Sequence, residues 1–322
     1  MVVGMIGATG LVGQTLVSIL SDSPFPITLR FVTASQRSVG KRIRFRESVR
    51  IVEDTKESSV GTPCDVVFIA SSSGVSRQWH TFLKQHHRFI IDLSSAFRMD
   101  PAVPLPVPDI DSEVITQSNQ WISNPNCSTI QLVKALSPVH RHWGLRKVVV
   151  STYQSVSGMG QDGIDRLYKE EQGLPTDQPV PLHRNVNPWI GENTNHPISE
   201  EECKIIEETR KILVDPTLSV YPTAVRVPVP TSHCESVYME TEKGFCLDFV
   251  KEIWEHTQGI VVSETPALPK HTAGTNHVMI SRIRSMSPKT LQCWLTADNI
   301  RVGSAWNAYQ ILESLVEKGF VS

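Results

Sequence analysis

Cys127 lies in Ser123-Asn124-Pro125-Asn126-Cys127-Ser128-Thr129, between a strand-like run and a helix-like run. Trp121-Ile122-Ser123 reads as a short strand, and residues 129–136 carry apolar side chains on one helical face. Asn126 and Ser128 are good N-cap types, so the spacing puts Cys127 in the first turn of that helix. A helix start offers partial positive charge and free N–H groups, which lower a thiol pKa and stabilise an oxyanion beside it. That is the setting of a nucleophilic cysteine. An arbitrary free cysteine is more often a small buried hydrophobe. The strand–Pro–Asn–Cys–helix setting favours the nucleophile.

A second polar cluster is Arg226-Val227-Pro228-Val229-Pro230-Thr231-Ser232-His233, at the end of a strand. His233 is a candidate general acid/base, its ordinary pKa being close to working pH. Arg226 suits a carboxylate, which it can clamp with two parallel hydrogen bonds. Cys234 is expected on the opposite face of an extended chain. Glu201 and Lys204, three apart on a helix, can face one cleft, although their spacing by itself favours a surface ion pair worth about 0.2–0.5 kcal/mol. Arg98 follows Asp92-Leu93-Ser94-Ser95-Ala96-Phe97 beyond the end of a buried strand, where ligands of parallel sheets bind.

The elements that must position these groups begin with an apolar strand at residues 2–6, followed by Gly7-Ala8-Thr9-Gly10-Leu11-Val12-Gly13 and a helical pattern. Glycines at a strand–helix junction let backbone N–H groups approach a pyrophosphate, which makes Gly7, Thr9, Gly10, Leu11 and Val12 candidates for dinucleotide contact. The second strand, residues 28–33, runs into Ala34-Ser35-Gln36-Arg37-Ser38 without the carboxylate that an NAD site uses for the ribose. Ser35, Arg37 and Ser38 suit a 2′-phosphate instead, so NADP is the expected cofactor. Ser71 and Gly74 follow another strand and are expected to line the cofactor in the same way.

Residues 65–70 and 89–92 are continuous apolar runs with a helix, 74–85, between them. Such runs indicate a parallel sheet covered on both faces, the doubly wound pattern. Past Cys127 the texture changes. Strands are expected at 147–152, 219–226, 235–241, 279–284 and 291–297, in a mixed or antiparallel sheet. A helix at 200–213 opens with the capping box Ser199/Glu202. Residues 173–198 read as a long surface excursion, and 303–319 as a closing helix.

With 322 residues the chain has room for two domains. A formal net charge of −2 gives no general pull toward nucleic acid or membranes, so anionic ligands must be held by local cations. No signal peptide or membrane span is read, and a cytoplasmic location is expected. Six scattered cysteines without a CxxC pair suit a reducing compartment and argue against disulfides or a structural zinc site.

Taken in order, these motifs, with Thr152-Tyr153-Gln154-Ser155-Val156-Ser157-Gly158 and Asp298-Asn299-Ile300-Arg301, resemble the aspartate-semialdehyde dehydrogenase family nearly end to end. The resemblance implies a Rossmann-like parallel-sheet domain, residues 1–126 completed by 300–322, and an α+β catalytic and dimerisation domain, 127–299. It implies NADPH-dependent reductive dephosphorylation of L-aspartyl 4-phosphate to L-aspartate 4-semialdehyde, on the branch to lysine, threonine and methionine. Cys127 would be the nucleophile, His233 the acid/base, and Gln154 the group orienting substrate and acyl intermediate. Arg226 would bind the substrate carboxylate and Glu201 its amino group. Arg98 and Lys204, with Asn126, would hold phosphate, and Ser157, Gly158 and Asn299 would touch the cofactor. A homodimer or a dimer of dimers is implied, and no metal. Leu93 stands where the family commonly has Asn, and Val302-Gly303-Ser304-Ala305 where it has Lys-Gly-Ala-Ala. N-acetyl-glutamyl-phosphate reductase, the nearest rival, tends to have Gly before the cysteine, and glyceraldehyde-phosphate dehydrogenase lacks the Pro-Asn pair. A non-catalytic dinucleotide-binding sensor would lack Cys, Gln or His, all of which are present.

Overall fold

The computed structural model describes residues 1–178, 180–192 and 197–322. The part of the expected surface excursion at 179 and 193–196 lies outside the described residues. The chain forms two compact units, Met1–Pro125 with Ser304–Ser322, and Asn126–Gly303.

The first unit opens with β1 (Val2–Ile6), α1 (Leu11–Asp22) and β2 (Thr28–Ala34), followed by a 3-10 turn, Gln36–Ser38. A hairpin, β3 (Arg42–Phe45) and β4 (Ser48–Ile51), precedes β5 (Glu53–Asp54) and α2 (Glu57–Val60). Then come β6 (Val66–Ile69), α3 (Ser73–His86), β7 (Phe89–Asp92) and β8 (Trp121–Ser123). The sheet order is β5-β2-β1-β6-β7-β8, with every neighbouring pair parallel. All four residues of β6 and of β7 are buried, as their unbroken apolar sequences require.

The second unit begins with α4 (Cys127–Trp143) and β9 (Leu145–Gln154), then a 3-10 turn, Val156–Met159, and α5 (Gln161–Glu171). It continues through α6 (Glu200–Ile212), β10 (Ser219–Arg226), β11 (His233–Thr241), α7 (Leu247–Glu255), β12 (Ile260–Val262), α8 (Pro269–Thr272), β13 (Val278–Ser287) and β14 (Thr290–Ala297). The sheet is mixed, in the order β10-β9-β11-β14-β13-β12. Its two outer pairs are parallel and its three inner pairs antiparallel. α4 packs on β9, β11, β13 and β14 and is buried along most of its length. The chain runs through Pro138 without ending the helix. Burial of Val139 and Trp143 beyond it offsets an interior proline cost of about 3 kcal/mol. Alternate residues on the other face of the sheet stay open, among them Val149, Tyr153 and Tyr221.

A π-helical turn, Arg301–Trp306, leads into α9 (Asn307–Glu317), so the regular helix starts later than its apolar pattern suggests. Ala305, Ala308, Ile311, Leu312 and Leu315 join the first unit's core with Leu16, Val17 and Leu20 of α1. Among the described residues no helix is long and apolar enough to cross a membrane.

Candidate active site

Asn126 is the N-cap of α4: its Oδ1 accepts from the N–H groups of Ser128 at 2.9 Å and Thr129 at 3.2 Å. Cys127 is the first helical residue and is partly exposed. Gly303 passes so close that a Cβ there would lie 2.7 Å from the Cys127 Cβ, so only glycine fits. One expectation changes. The Ser128 and Thr129 amides are consumed by the cap, so they are not the donors that hold an oxyanion.

The cap is tied to α6. Glu201 Oε1 accepts from Asn126 Nδ2 at 3.0 Å and from Gln154 Nε2 at 3.1 Å. Gln154 also donates to Thr152 Oγ1 at 3.3 Å. One buried carboxylate oxygen thus joins the residue before the cysteine to the glutamine that ends β9. The helix is set by the expected capping box, Ser199 with Glu202. Lys204 Nζ lies 2.7 Å from Glu200 Oε1 and 3.8 Å from Glu201 Oε2. The surface-pair reading therefore fits Lys204 with Glu200, while Glu201 is turned inward. Glu208, two helical turns beyond Glu201, accepts the Asn126 main-chain N–H at 2.6 Å. Sequence reasoning missed Glu208, whose partner is a backbone group with no sequence signature.

Arg226, at the end of β10, is buried and donates from Nη1 to the Ser155 carbonyl at 2.6 Å. Burial lowers its pKa, while the negative charges of Glu201 and Cys127 act the other way. Gly158 leaves the space they need: a Cβ there would lie 2.8 Å from Arg226 Nη1 and 3.5 Å from His233 Nε2. His233 opens β11 and is fully buried. Its pKa is driven well below the ordinary value, first by burial and then by Arg226, with a hydrogen bond to the Ser232 main chain acting the other way. A neutral imidazole is the result. Its Nδ1 lies 3.0 Å from the Ser155 amide N and 3.0 Å from Ser155 Oγ. Cys234, on the opposite face, takes a contact from Thr296 Oγ1 at 3.5 Å. Asn299 Oδ1 accepts from Ser155 Oγ, Ser157 Oγ and the Ser232 amide, at 3.0, 3.1 and 3.0 Å.

Cys127, Asn126, Gln154, Glu201, Lys204, Arg226, His233, Ser157, Gly158 and Asn299 all belong to the second unit. Arg98 belongs to the first, where its Nε donates to the Asn124 carbonyl at 2.9 Å and its Nη2 to that of Leu93 at 3.1 Å. Its loop is held by buried Asp92, whose Oδ1 accepts from Ser76 Oγ and the Ser94 amide, both at 2.9 Å.

The glycine loop is also in the first unit. Gly7 has φ +84°, and a Cβ there would sit 2.2 Å from the Ala70 carbonyl oxygen. Gly10 precedes α1 without a side-chain cap, which leaves the amides of the first turn, from Leu11 and Val12 onward, to a ligand. Thr9 Oγ1 donates to Ser38 Oγ at 3.0 Å, so the loop and the end of the second strand are joined. Ser38 is buried, Ser35 and Arg37 are exposed, and β2 ends at Ala34 without a carboxylate. Ser71 and Gly74 flank the start of α3, again without a side-chain cap. These groups fit a dinucleotide phosphate. Beside them a cavity of about 450 Å³ is lined by Thr9, Gln14, Lys41, Arg42 and Arg44. Its basic wall was not read from the sequence, although the close spacing of Lys41, Arg42 and Arg44 was the available signal.

Comparison with known proteins shows the family. Residues 2–118 match a family model described as semialdehyde dehydrogenase, NAD binding domain, and residues 136–302 one described as semialdehyde dehydrogenase, dimerisation domain. The chain is 36% identical to the aspartate-semialdehyde dehydrogenase of Aquifex aeolicus, over 99% of each chain. It is 34% identical to that of Bacillus subtilis, over 99% of this chain and 98% of the other. A crystal structure of aspartate semialdehyde dehydrogenase II from Vibrio cholerae complexed with ASA matches with TM-score 0.92 and 34% identity, over 98% of each chain. The chain belongs to the aspartate-semialdehyde dehydrogenase family of enzymes.

Proposed function

We propose that the protein carries out NADPH-dependent reductive dephosphorylation of L-aspartyl 4-phosphate to L-aspartate 4-semialdehyde, through a thioacyl intermediate on Cys127. The observation that carries this reading is Cys127 at the start of α4, behind an Asn126 cap that shares the Glu201 carboxylate with Gln154.

The Cys127 thiolate attacks the acyl-phosphate carbonyl, and the C–O bond to phosphate breaks as the thioester forms. The helix start and the nearby Arg226 charge favour the thiolate. Lys204 receives the departing phosphate. Asn126 and, from the first unit, Arg98 take part in phosphate binding on the family likeness. Gln154 orients the acyl group, Arg226 binds the substrate carboxylate, and Glu201 its amino group. When bound, a reduced nicotinamide would supply the hydride needed to reduce the thioester to the thiohemiacetal level. His233 is the acid/base at that oxygen, and collapse of the thiohemiacetal releases aldehyde and regenerates the thiol. NADP is the proposed form of the cofactor, with Ser35, Arg37 and Ser38 around its 2′-phosphate, Gly7 to Val12 at the pyrophosphate, and Ser71, Gly74, Ser157, Gly158 and Asn299 completing its contacts.

The proposed assembly is a homodimer through the open face of the mixed sheet, on which Tyr153 and Trp294 pack with ring centroids 5.2 Å apart. The proposed setting is cytoplasmic biosynthesis of lysine, threonine and methionine.

The test is run in the oxidative direction, with phosphate and NADP and with each of two aldehydes. Aspartate semialdehyde is expected to be turned over with reduction of NADP, and N-acetyl-glutamate semialdehyde to be inert. The reverse preference would make the protein the glutamyl enzyme, and no turnover of either would favour a non-catalytic dinucleotide binder.

A further inference from the structure

We infer that Asn299 is a positioning residue for His233: with the Ser155 main chain it holds the imidazole in a single tautomer, protonated at Nε2 and bare at Nδ1. The tautomer stands on geometry alone, while its use in catalysis rests on the proposed function above.

A backbone amide can only donate. The Ser155 N–H points at His233 Nδ1 with N···N 3.0 Å, so Nδ1 offers its lone pair. The Ser155 hydroxyl stands 3.0 Å from the same atom and 3.0 Å from Asn299 Oδ1. Whichever way its hydrogen turns, to Nδ1 or to Asn299, no hydrogen is needed on Nδ1. A proton there would face the Ser155 amide hydrogen. A neutral ring must then carry its hydrogen on Nε2, which is buried and has no partner among the described residues. An N–H in that state awaits an acceptor, and the oxygen of a tetrahedral adduct is one.

Asn299 holds both ends of this arrangement. The Ser232 N–H donates to its side chain at 3.0 Å, which identifies the oxygen rather than the amide nitrogen at that position. Ser232 directly precedes His233 and has φ +69°, a conformation that a non-glycine residue keeps only where its surroundings enforce it. The same oxygen takes the hydroxyls of Ser155 and Ser157 from the other side. Removing it frees the strained residue before the histidine and the turn that supplies the Nδ1 donor.

The ring therefore meets the first oxyanion with a hydrogen bond from Nε2. Complete loss of that proton would leave an imidazolate, so the proton stays on the ring at this stage. Any later proton exchange at Nε2 must be matched at Nδ1, the atom that Ser155 and Asn299 control. The thiolate at Cys127 then depends on the helix start and Arg226 rather than on an imidazolium partner.

The test is long-range proton–nitrogen correlation NMR of the full-length protein, free of cofactor, with nitrogen-labelled histidine. His233→Asn identifies the signals of the ring. The wild type is expected to show Nε2 protonated and Nδ1 bare near neutral pH. An Nδ1–H tautomer or an imidazolium there overturns the inference. Asn299→Ala is expected to lose the single tautomer, and to lower kcat by about tenfold or more while KM for aspartate semialdehyde moves by less than about threefold. Asn299→Asp, which keeps an acceptor oxygen, is expected to recover the tautomer. An unchanged tautomer in Asn299→Ala also overturns the inference. If Asn299→Ala does not fold, the wild-type and Asn299→Asp spectra decide. Absence of semialdehyde turnover in the wild type would sink the proposed function and leave the tautomer result standing.

Discussion

The Asn126 main-chain N–H donates to Glu208 Oε2 at 2.6 Å, so the residue before the candidate nucleophile is fastened to a carboxylate of α6. The same helix presents Glu201 to the Asn126 side chain at 3.0 Å. Two carboxylates on one helix thus fix both the backbone and the side chain of the cap on which Cys127 is mounted. The cysteine owes its geometry to α6 as much as to α4.

Removing the first of these ties should loosen the nucleophile. Glu208→Ala is expected to lose about 1.5–3 kcal/mol of stability, the range for a hydrogen bond to a buried charged group. It should also slow alkylation of Cys127 by iodoacetamide. Glu208→Gln keeps an acceptor oxygen and should recover most of both. Urea unfolding and alkylation rates check this, and wild-type values for Glu208→Ala would refute the positioning role.

Glu235 predicts a pH dependence of stability. It lies on β11, fully buried, and among the described residues neither carboxylate oxygen has a hydrogen bond of good geometry. Burial pushes its carboxyl from 4.5 up to about 8, and the Gln131 side chain offsets this only in part. The unfolded chain releases the proton near its ordinary carboxylate pKa, while the folded chain keeps it up to about 8. Between those values the native state binds the extra proton, so its stability falls as pH rises, and above about 8 the loss is complete. The slope from this one group is at most about 1.4 kcal/mol per pH unit. Glu235→Gln stays neutral and should flatten the decline between pH about 6 and about 8. Urea titrations across that range measure it, and an unchanged pH dependence in the variant would exclude Glu235 as its source.

Cofactor choice should follow the end of β2. Ser38 is joined to Thr9 of the glycine loop at 3.0 Å, and Arg37 stands exposed beside it. Arg37→Ala is expected to raise KM for NADP by roughly tenfold or more, since a charge-assisted hydrogen bond is worth about 1.5–3 kcal/mol. NAD kinetics should barely move. Ser38→Asp should shift the preference toward NAD, by repelling a phosphate and by accepting from a ribose hydroxyl. Initial rates with the two cofactors measure the ratio, and a ratio insensitive to both substitutions would remove these residues from the 2′-phosphate site.

Features carried by local rules were legible in the sequence. The Asn126 cap and the Ser199/Glu202 box rest on partners two or three residues away, and the buried parallel strands on unbroken apolar runs. Distant partners left no such mark. Glu208 meets an amide 82 residues away, and Asn299 collects donors 67 to 144 residues away. The hairpin at residues 42–51 escaped because arginines occupy the alternate positions of Arg42–Phe45, and the strand there is half polar. α7 escaped for another reason: Cys246 stands at its N-cap and makes no capping bond, so its start carries no polar signal. The apolar pattern was read only over residues 129–136, whereas α4 continues through Pro138 to Trp143, because the local cost of the proline is outweighed by burial that no local rule records.

The central claim concerns the sulfur of Cys127, and Cys127→Ser tests it most directly. Wild type and variant are compared for reduction of NADP with aspartate semialdehyde and phosphate, with NADP binding measured separately by fluorescence. The account predicts no detectable turnover in the variant and unchanged NADP binding. A Cys127→Ser protein that turns over at the wild-type rate would contradict it.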